Sequence, residues 1–311
     1  RWRSFVSGAA LRRDVPPASF TCHGGWTPPD SSGESGSWVL PARYGRVVSA
    51  TVPPELPDHV AENRRHWDEM ADQWVAAGER QWAQIEPTWG MWCIADAELA
   101  LLAAGMSGMR AVELGCGTGY VSAWMHRRGA SVYAIDNSAR QLATARRLAG
   151  EHGRTDIEFV HGNAEHVDQP GGSFDFAISE YGAAIWCDPH VWIPEAHRLL
   201  RPGGTLTFLG NHPIGMICTP VDGSSPATFS LERDYFGLGR LDWTDATDDP
   251  GGIEFNMEIS SWMRLFREVG FDVIDYVEIQ APADAGGTPF WVTADWARRY
   301  PSEQVWVLRR T

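Results

Sequence analysis

The sequence predicts an α/β fold in which a parallel sheet is covered by helices on both faces. Between residues 108 and 210, short apolar runs alternate with amphipathic segments, the pattern that right-handed strand-helix-strand units produce. The first apolar run, Val112-Glu113-Leu114, passes directly into the turn Gly115-Cys116-Gly117-Thr118-Gly119. The second, Ser131-Val132-Tyr133-Ala134-Ile135, is closed by Asp136, 17 residues beyond Gly119. Glycines at alternate positions admit backbone dihedrals that side chains forbid and let a ligand approach the main chain. An acid closing the next strand is placed to accept hydrogen bonds from ribose hydroxyls.

The elements follow in order. Asp58 is a good helix N-cap, and Val60, Trp67, Met70, Ala71, Trp74 and Val75 recur at helical spacing before Gly78, which is expected to end that helix. A second helix is expected over Ile94 to Ala104, and Trp82, Trp89 and Trp92 surround Pro87 between the two. Strands are expected near 110–114, 131–135, 156–161, 174–179 and 204–210, with helices near 119–129, 138–152 and 189–200. Ser138 caps the second of these helices, whose stripe is Leu142, Ala145, Leu148 and Ala149. After Gly210 the alternation stops. Residues 211–257, rich in proline and glycine with Asp242, Asp245, Asp248 and Asp249, read as an insertion over the substrate site. The acidic stretch lacks the Asp-x-Asp-x-Asp-Gly calcium loop, so a solvated turn is expected and no metal. An amphipathic helix over Glu258–Val269 and strands over 271–279 and 304–308 complete the chain.

This divides the chain into a leader (1–57), a tryptophan-rich helical cap (58–107) and a ligand-binding core (108–311) with a lid insertion at about 211–257. Residues 1–51 show no sustained periodicity and carry Pro16-Pro17, Gly24-Gly25, Pro28-Pro29 and a Ser/Gly run, so a flexible leader, with a native start near Val52, is expected. N-terminal sequencing of protein from the native host tests this; a peptide beginning before about residue 40 contradicts it.

Composition narrows the function. At 311 residues and 43% hydrophobic, the chain can bury one substantial core. A formal charge of -14 opposes nonspecific attraction to nucleic acid or anionic lipid. Five cysteines, Cys22, Cys93, Cys116, Cys187 and Cys218, never occur as Cys-x-x-Cys, so neither a disulfide framework nor a zinc site is suggested, and a reducing cytoplasm fits best. No run reaches the ~18 to 20 apolar residues that cross a bilayer. The pattern leaves monomer and homodimer equally open.

Glu113 stands two places before the first glycine, and the glycines run x-Gly-x-Gly-x-Gly. In this the region resembles motif I of the class I (Rossmann-like) S-adenosylmethionine (SAM)-dependent methyltransferases. The resemblance extends through Tyr133-Ala134-Ile135-Asp136, Gly162-Asn163-Ala164-Glu165 and Phe174 to Glu180, as far as Arg201-Pro202-Gly203-Gly204. In general character it is closest to small-molecule enzymes of actinobacteria. It implies a doubly wound seven-stranded, mostly parallel sheet of order 3-2-1-4-5-7-6 with strand 7 antiparallel. SAM is the implied cofactor and S-adenosylhomocysteine the product, with methyl transfer to an O, N or C atom of a small molecule.

Carried over residue by residue, Gly115, Cys116, Gly117 and Gly119 form the cofactor loop, and Glu113 organises it or contacts the cofactor's amino end. Asp136 holds the ribose and Asn137 borders the adenine, or else serves the turn. Asn163, Ala164 and Glu165 hold the adenine edge, while Ser179, Glu180 and Tyr181 end the fourth strand near the transferred methyl. Ser179-Glu180-Tyr181-Gly182 does not match the Asp/Asn-Pro-Pro-aromatic motif of adenine-modifying DNA methyltransferases. Trp67 and Trp74, one heptad apart, either pack on the sheet or, with Trp89, Trp92 and Trp186, cover the sulfonium by stacking and cation-π contacts. An alcohol or phenol acceptor benefits from a base, for which His212 is the first candidate, followed by Glu180, Tyr181 and His190; helix capping or loop packing is the favoured use of His212, and a structural role at the helix start that of His190. Two other readings remain: an NAD(P)-dependent oxidoreductase built on a Rossmann domain, and a SAM-binding protein without activity.

Overall fold

A computed structural model describes residues 56–248 and 250–311. The expectations for the leader, and for Asp249, lie outside the described residues.

Seven strands form the central sheet: β1 (Arg110–Leu114), β2 (Ser131–Asp136), β3 (Glu158–His161), β4 (Phe174–Glu180), β5 (Leu200–Asn211), β6 (Phe271–Ile279) and β7 (Glu303–Arg310). Their order is β3-β2-β1-β4-β5-β7-β6. The first five run parallel, and β7 lies antiparallel between β5 and β6. This is the order and sense that the resemblance implied. Five longer helices are α1 (Asp58–Ala83), α2 (Tyr120–Arg127), α3 (Ala139–Glu151), α4 (Pro189–Leu199) and α5 (Ile259–Val269). Ser138 caps α3 by accepting from Gln141 N–H, as its position in the sequence predicted.

Apolar residues bury both faces of the sheet. On one, Val121, Trp124, Leu142 and Leu148 pack with Val132 and Ile178. On the other, Trp192, Trp262 and Phe266 pack with Phe208 and Trp306. Seven tryptophans, at 82, 89, 124, 192, 262, 296 and 306, are among the largest fully buried side chains, so these serve the core. Such rings bury on the order of 150–250 Å² each and so contribute heavily to the core.

Three local expectations fail, the first two for identifiable reasons. First, α1 continues through Gly78 to Ala83. A Cβ on Gly78 would stand 2.7 Å from Thr118 Oγ1, so this glycine permits close approach to the glycine-rich loop and does not end the helix. Second, the helix expected over 94–104 is a single turn, Asp96–Leu99, ended by Ala100 at φ 50°. Asp96 Oδ1 accepts from Trp89 Nε1 (2.7 Å) and from Leu101 N–H (3.1 Å), and Arg128 pairs with its other oxygen (2.7 Å), which folds the chain back. Third, β5 starts four residues earlier than expected, at Leu200. The insertion contains a short helix, Pro213–Cys218, and a two-stranded ribbon of Arg240–Asp242 with Ile253–Phe255. Cys116, Cys187 and Cys218 are free thiols.

The carboxyl edge of the sheet is covered from outside. Helix α1 is tied across it by Asn63, whose Nδ2 donates to Trp186 O and to Ile253 O, both at 2.9 Å. Arg64 Nε donates to Asn137 Oδ1 (2.9 Å), and Ser138 Oγ donates to Asp68 (2.6 Å). A second strap, Gly90-Met91, reaches the ends of β4 and β7 through its amides. No described helix is long and apolar enough to cross a membrane.

Candidate cofactor and acceptor site

The loop after β1 turns through three left-handed glycines, Gly115 (φ 79°), Gly117 (φ 50°) and Gly119 (φ 77°). Their surroundings differ. A Cβ on Gly115 would lie 2.5 Å from Gly182 Cα, and one on Gly119 2.7 Å from Phe159, so both are needed to pack the loop. A Cβ on Gly117 would meet nothing within 4 Å, so this glycine faces open space. Ser179 joins the same packing: buried, it donates to Leu114 O (2.8 Å) and accepts from Ala184 N–H (3.1 Å). Cys116 is buried, and burial holds its thiol well above the usual range, an inert lining.

Three carboxyl groups converge on this loop. Asp136 Oδ2 accepts from Gly117 N–H (2.7 Å) and Oδ1 from Ser138 N–H (2.8 Å). That occupies two of about four acceptor positions on a carboxylate. Burial raises its pKa, opposed by those two amides. Glu113 is buried beneath the loop, takes a short hydrogen bond from Ser122 Oγ, and so ties β1 to α2. Burial, then the charges of Glu180 and Asp136, push its pKa well up. Glu180, at the end of β4, is pushed up to about 7 by burial, against the hydrogen bonds from Gly90 N–H (2.9 Å) and Tyr120 Oη (2.7 Å). Burial disfavours the ionised form of all three, and a cation placed beside them would favour it again.

Tyr181 follows at φ 58° and ψ -31°, a costly conformation for a side-chain-bearing residue. It donates a short hydrogen bond to Glu303 Oε1 and accepts from Met91 N–H (3.0 Å). Glu303 is fully buried at the start of β7. Glu180, Tyr181, Tyr120 and Glu303 thus form one cluster at the carboxyl edge. Sequence reading missed Tyr120 and Glu303: the first carried only its place beside Gly119, the second no local signal.

Other candidates fall elsewhere. Asn137 is engaged by α1, donating to Val60 O (2.8 Å) and accepting from Arg64. Asn163 Oδ1 accepts from Glu165 N–H (3.0 Å), and Ala164 is buried. Glu165 is buried and accepts from Asp188 N–H (2.8 Å) while bonding His59 Nε2 at 2.7 Å, so it latches α1 to the core. Trp67 packs against Trp74 (5.7 Å between centroids) and Trp186 (5.1 Å), with its indole N–H buried and unpartnered. Trp74 also stacks on Phe290. His212 is 1% exposed; its Nδ1 accepts from Ile214 N–H (3.1 Å), capping the following helix, and its Nε2 faces Tyr276 Oη (3.1 Å) and Glu278 (3.2 Å). Burial lowers its pKa to about 4 against the pull of Glu278, and this arrangement leaves neither ring nitrogen free to take a proton. His190 lies on α4, beside its cap Asp188, and lines a cleft of about 650 Å³ with Asp58, His59 and Arg240.

These residues fit a cationic nucleoside. Asp136 retains acceptor capacity for two hydroxyls, Gly117 leaves room over the backbone, and the carboxyls suit positive charge. They suit a pyrophosphate poorly, because like charges this close cost energy.

Comparison with known proteins agrees. Residues 112–208 match a family model described as a methyltransferase domain. The chain is 37% identical over 116 residues to a malonyl-[acyl-carrier protein] O-methyltransferase of Enterobacter lignolyticus, covering 37% of this chain and 43% of the relative. It is 31% identical over 121 residues to a ubiquinone biosynthesis O-methyltransferase of Maricaulis maris, covering 39% and 43% respectively. The chain thus spans about two-fifths of the length of these curated relatives. A crystal structure of an S-adenosylmethionine-dependent methyltransferase from Mesorhizobium loti superposes with a TM-score of 0.55 at 25% identity, covering 69% of this chain and 96% of that one. Residues 112–208 are therefore a class I methyltransferase domain whose cofactor is S-adenosylmethionine.

Proposed function

We propose that the protein transfers a methyl group from SAM to a small-molecule acceptor, with oxygen as the receiving atom. The observation that carries this reading is the set of three carboxyl groups, Glu113, Asp136 and Glu180, around a glycine loop with open space at Gly117. A cofactor that brings a sulfonium and an ammonium group suits these acids, and the pyrophosphate of a dinucleotide does not. Both relatives named above are O-methyltransferases, which supports oxygen.

SAM supplies an electrophilic methyl on a sulfonium. This chain's residues then have three tasks. Asp136 orients the ribose. Helix α1 and the Gly90-Met91 strap close the carboxyl edge against water, which strengthens every electrostatic contact within. Glu180, which the resemblance puts near the transferred methyl, is pushed up to about 7 by burial and so suits the role of proton acceptor near neutrality.

Thermal-shift titration of the full chain with SAM, S-adenosylhomocysteine, NAD and NADP tests the reading. Stabilisation by the first two alone is expected; stabilisation by a nicotinamide cofactor without any by S-adenosylhomocysteine would overturn it. Turnover with tritiated SAM and host extract then separates an enzyme from a silent binder.

A further inference from the structure

Glu303 and Glu180 are 123 positions apart, yet each is held by one of two successive amides. Gly90 N–H donates to Glu180 Oε1 at 2.9 Å and Met91 N–H to Glu303 Oε1 at 3.0 Å. The two carboxyls therefore sit on one strap, and their charges couple. Glu303 Oε1 also receives the Tyr181 hydroxyl, whereas Oε2 is buried with no partner. An ionised oxygen orphaned there carries a desolvation penalty of order 1–3 kcal/mol or more, which protonation avoids. Burial, then the negative charge of Glu180, raise Glu303 to about 8, above Glu180 at about 7. The other ionisable neighbours do not supply the charge. Tyr120 on α2 faces Glu180, and Tyr181 faces Glu303. Both phenols are held well above 10 by burial first and by these carboxylates next, so they stay protonated. Glu113 on β1 is itself pushed up.

We propose that Glu180 and Glu303, held by successive amides of one strap, are a charge-coupled pair beside the acceptor, Glu180 ionised as the catalytic base and Glu303 protonated as its positioning residue, and that the acceptor is a neutral alcohol or phenol. This rests on the methyl-transfer reading. A hydroxyl gains acidity as it attacks and benefits from a base, an acceptor carboxylate would be repelled by Glu180, and a tertiary amine has no proton to lose. In the step, the acceptor oxygen's lone pair forms the bond to the sulfonium methyl, and the carbon-sulphur pair returns to sulphur. The O–H proton passes to Glu180, leaving a methyl ether, a neutral thioether and two protonated carboxyls.

The deciding measurement is the infrared carbonyl band of protonated carboxyls in the free full chain, titrated from pH 5 to 10. Wild type should show two successive buried-carboxyl steps besides that of Glu113, which Glu113→Gln identifies; Glu303→Gln should lose the later of the two, and in Glu180→Gln the Glu303 step should move to lower pH. A Glu303 already ionised from pH 6 upward in wild type, which requires no variant, would overturn the pair. So would a Glu303 midpoint unmoved by Glu180→Gln. With an accepted substrate, Glu180→Gln should lower kcat by about a hundredfold or more. Glu303→Gln should remove the upper inflection of the kcat profile while leaving KM for SAM within about twofold. A methyl ether as product agrees with the proposal; an ester, a methylamine or a C-methyl product contradicts it. Because S-adenosylhomocysteine binding is measured separately, failure of the pair is distinguishable from failure of methyl transfer.

Discussion

Removing the Asp136 carboxyl tests the cofactor assignment most directly. In Asp136→Ala the ribose loses its charged acceptor, and hydrogen bonds to charged groups contribute roughly 1.5–3 kcal/mol, equivalent to a ten- to hundredfold weaker affinity. The structure adds a second term. Asp136 also holds the Gly117 and Ser138 amides at 2.7 and 2.8 Å, so the variant leaves two loop donors without their acceptor and lowers stability by about 1–3 kcal/mol. The two effects separate in Asp136→Asn, whose one oxygen serves only one of those amides and whose NH2 opposes the other, so affinity and stability should fall between wild type and Ala. Isothermal calorimetry with S-adenosylhomocysteine, paired with chemical denaturation, measures both. A folded Asp136→Ala protein that binds within twofold of wild type would refute the assignment of ribose recognition to this residue.

Two further tests address the architecture. Gly115→Ala should destabilise the fold by about 3 kcal/mol or more, because its Cβ would lie 2.5 Å from Gly182 Cα at a φ of 79°. Gly117→Ala should cost only about 1–2 kcal/mol but should weaken S-adenosylhomocysteine binding, since its Cβ points into open space; equal destabilisation in urea titrations would contradict the distinction. The His59–Glu165 latch should be pH-dependent. Burial alone lowers the His59 pKa, but the hydrogen bond and charge of Glu165 outweigh it, so the net value lies above 6.5. The stabilisation it gives is full below pH 6.5 and is lost as pH rises through the raised value, so the stability gap between wild type and His59→Ala should narrow from pH 6 to pH 9. A constant gap across that range would count against the latch.

The sequence alone determined the sheet and one side of the site. Strand and helix periods, the glycine spacing and the acid closing β2 are local signals, and each constrains its own neighbourhood. That is why β1 to β4, α2, α3 and the loop from Gly115 to Gly119 were legible residue by residue, and why the antiparallel strand order followed from the resemblance. Tertiary structure decided the rest. Gly78 reads as a helix stop until Thr118 is packed against it, and Ile94 to Ala104 reads as a helix until Trp89 and Arg128 claim Asp96. His212 suggested a base by its place after β5, but only folding brings Tyr276 and Glu278 to its ring. Glu303 was silent in the sequence because a carboxylate acquires unusual proton affinity only from what surrounds it: a strap from residue 90, a phenol from residue 181 and a second acid at the end of another strand. Dielectric environment and charge proximity are properties of the assembled fold, and no window of neighbouring residues encodes them.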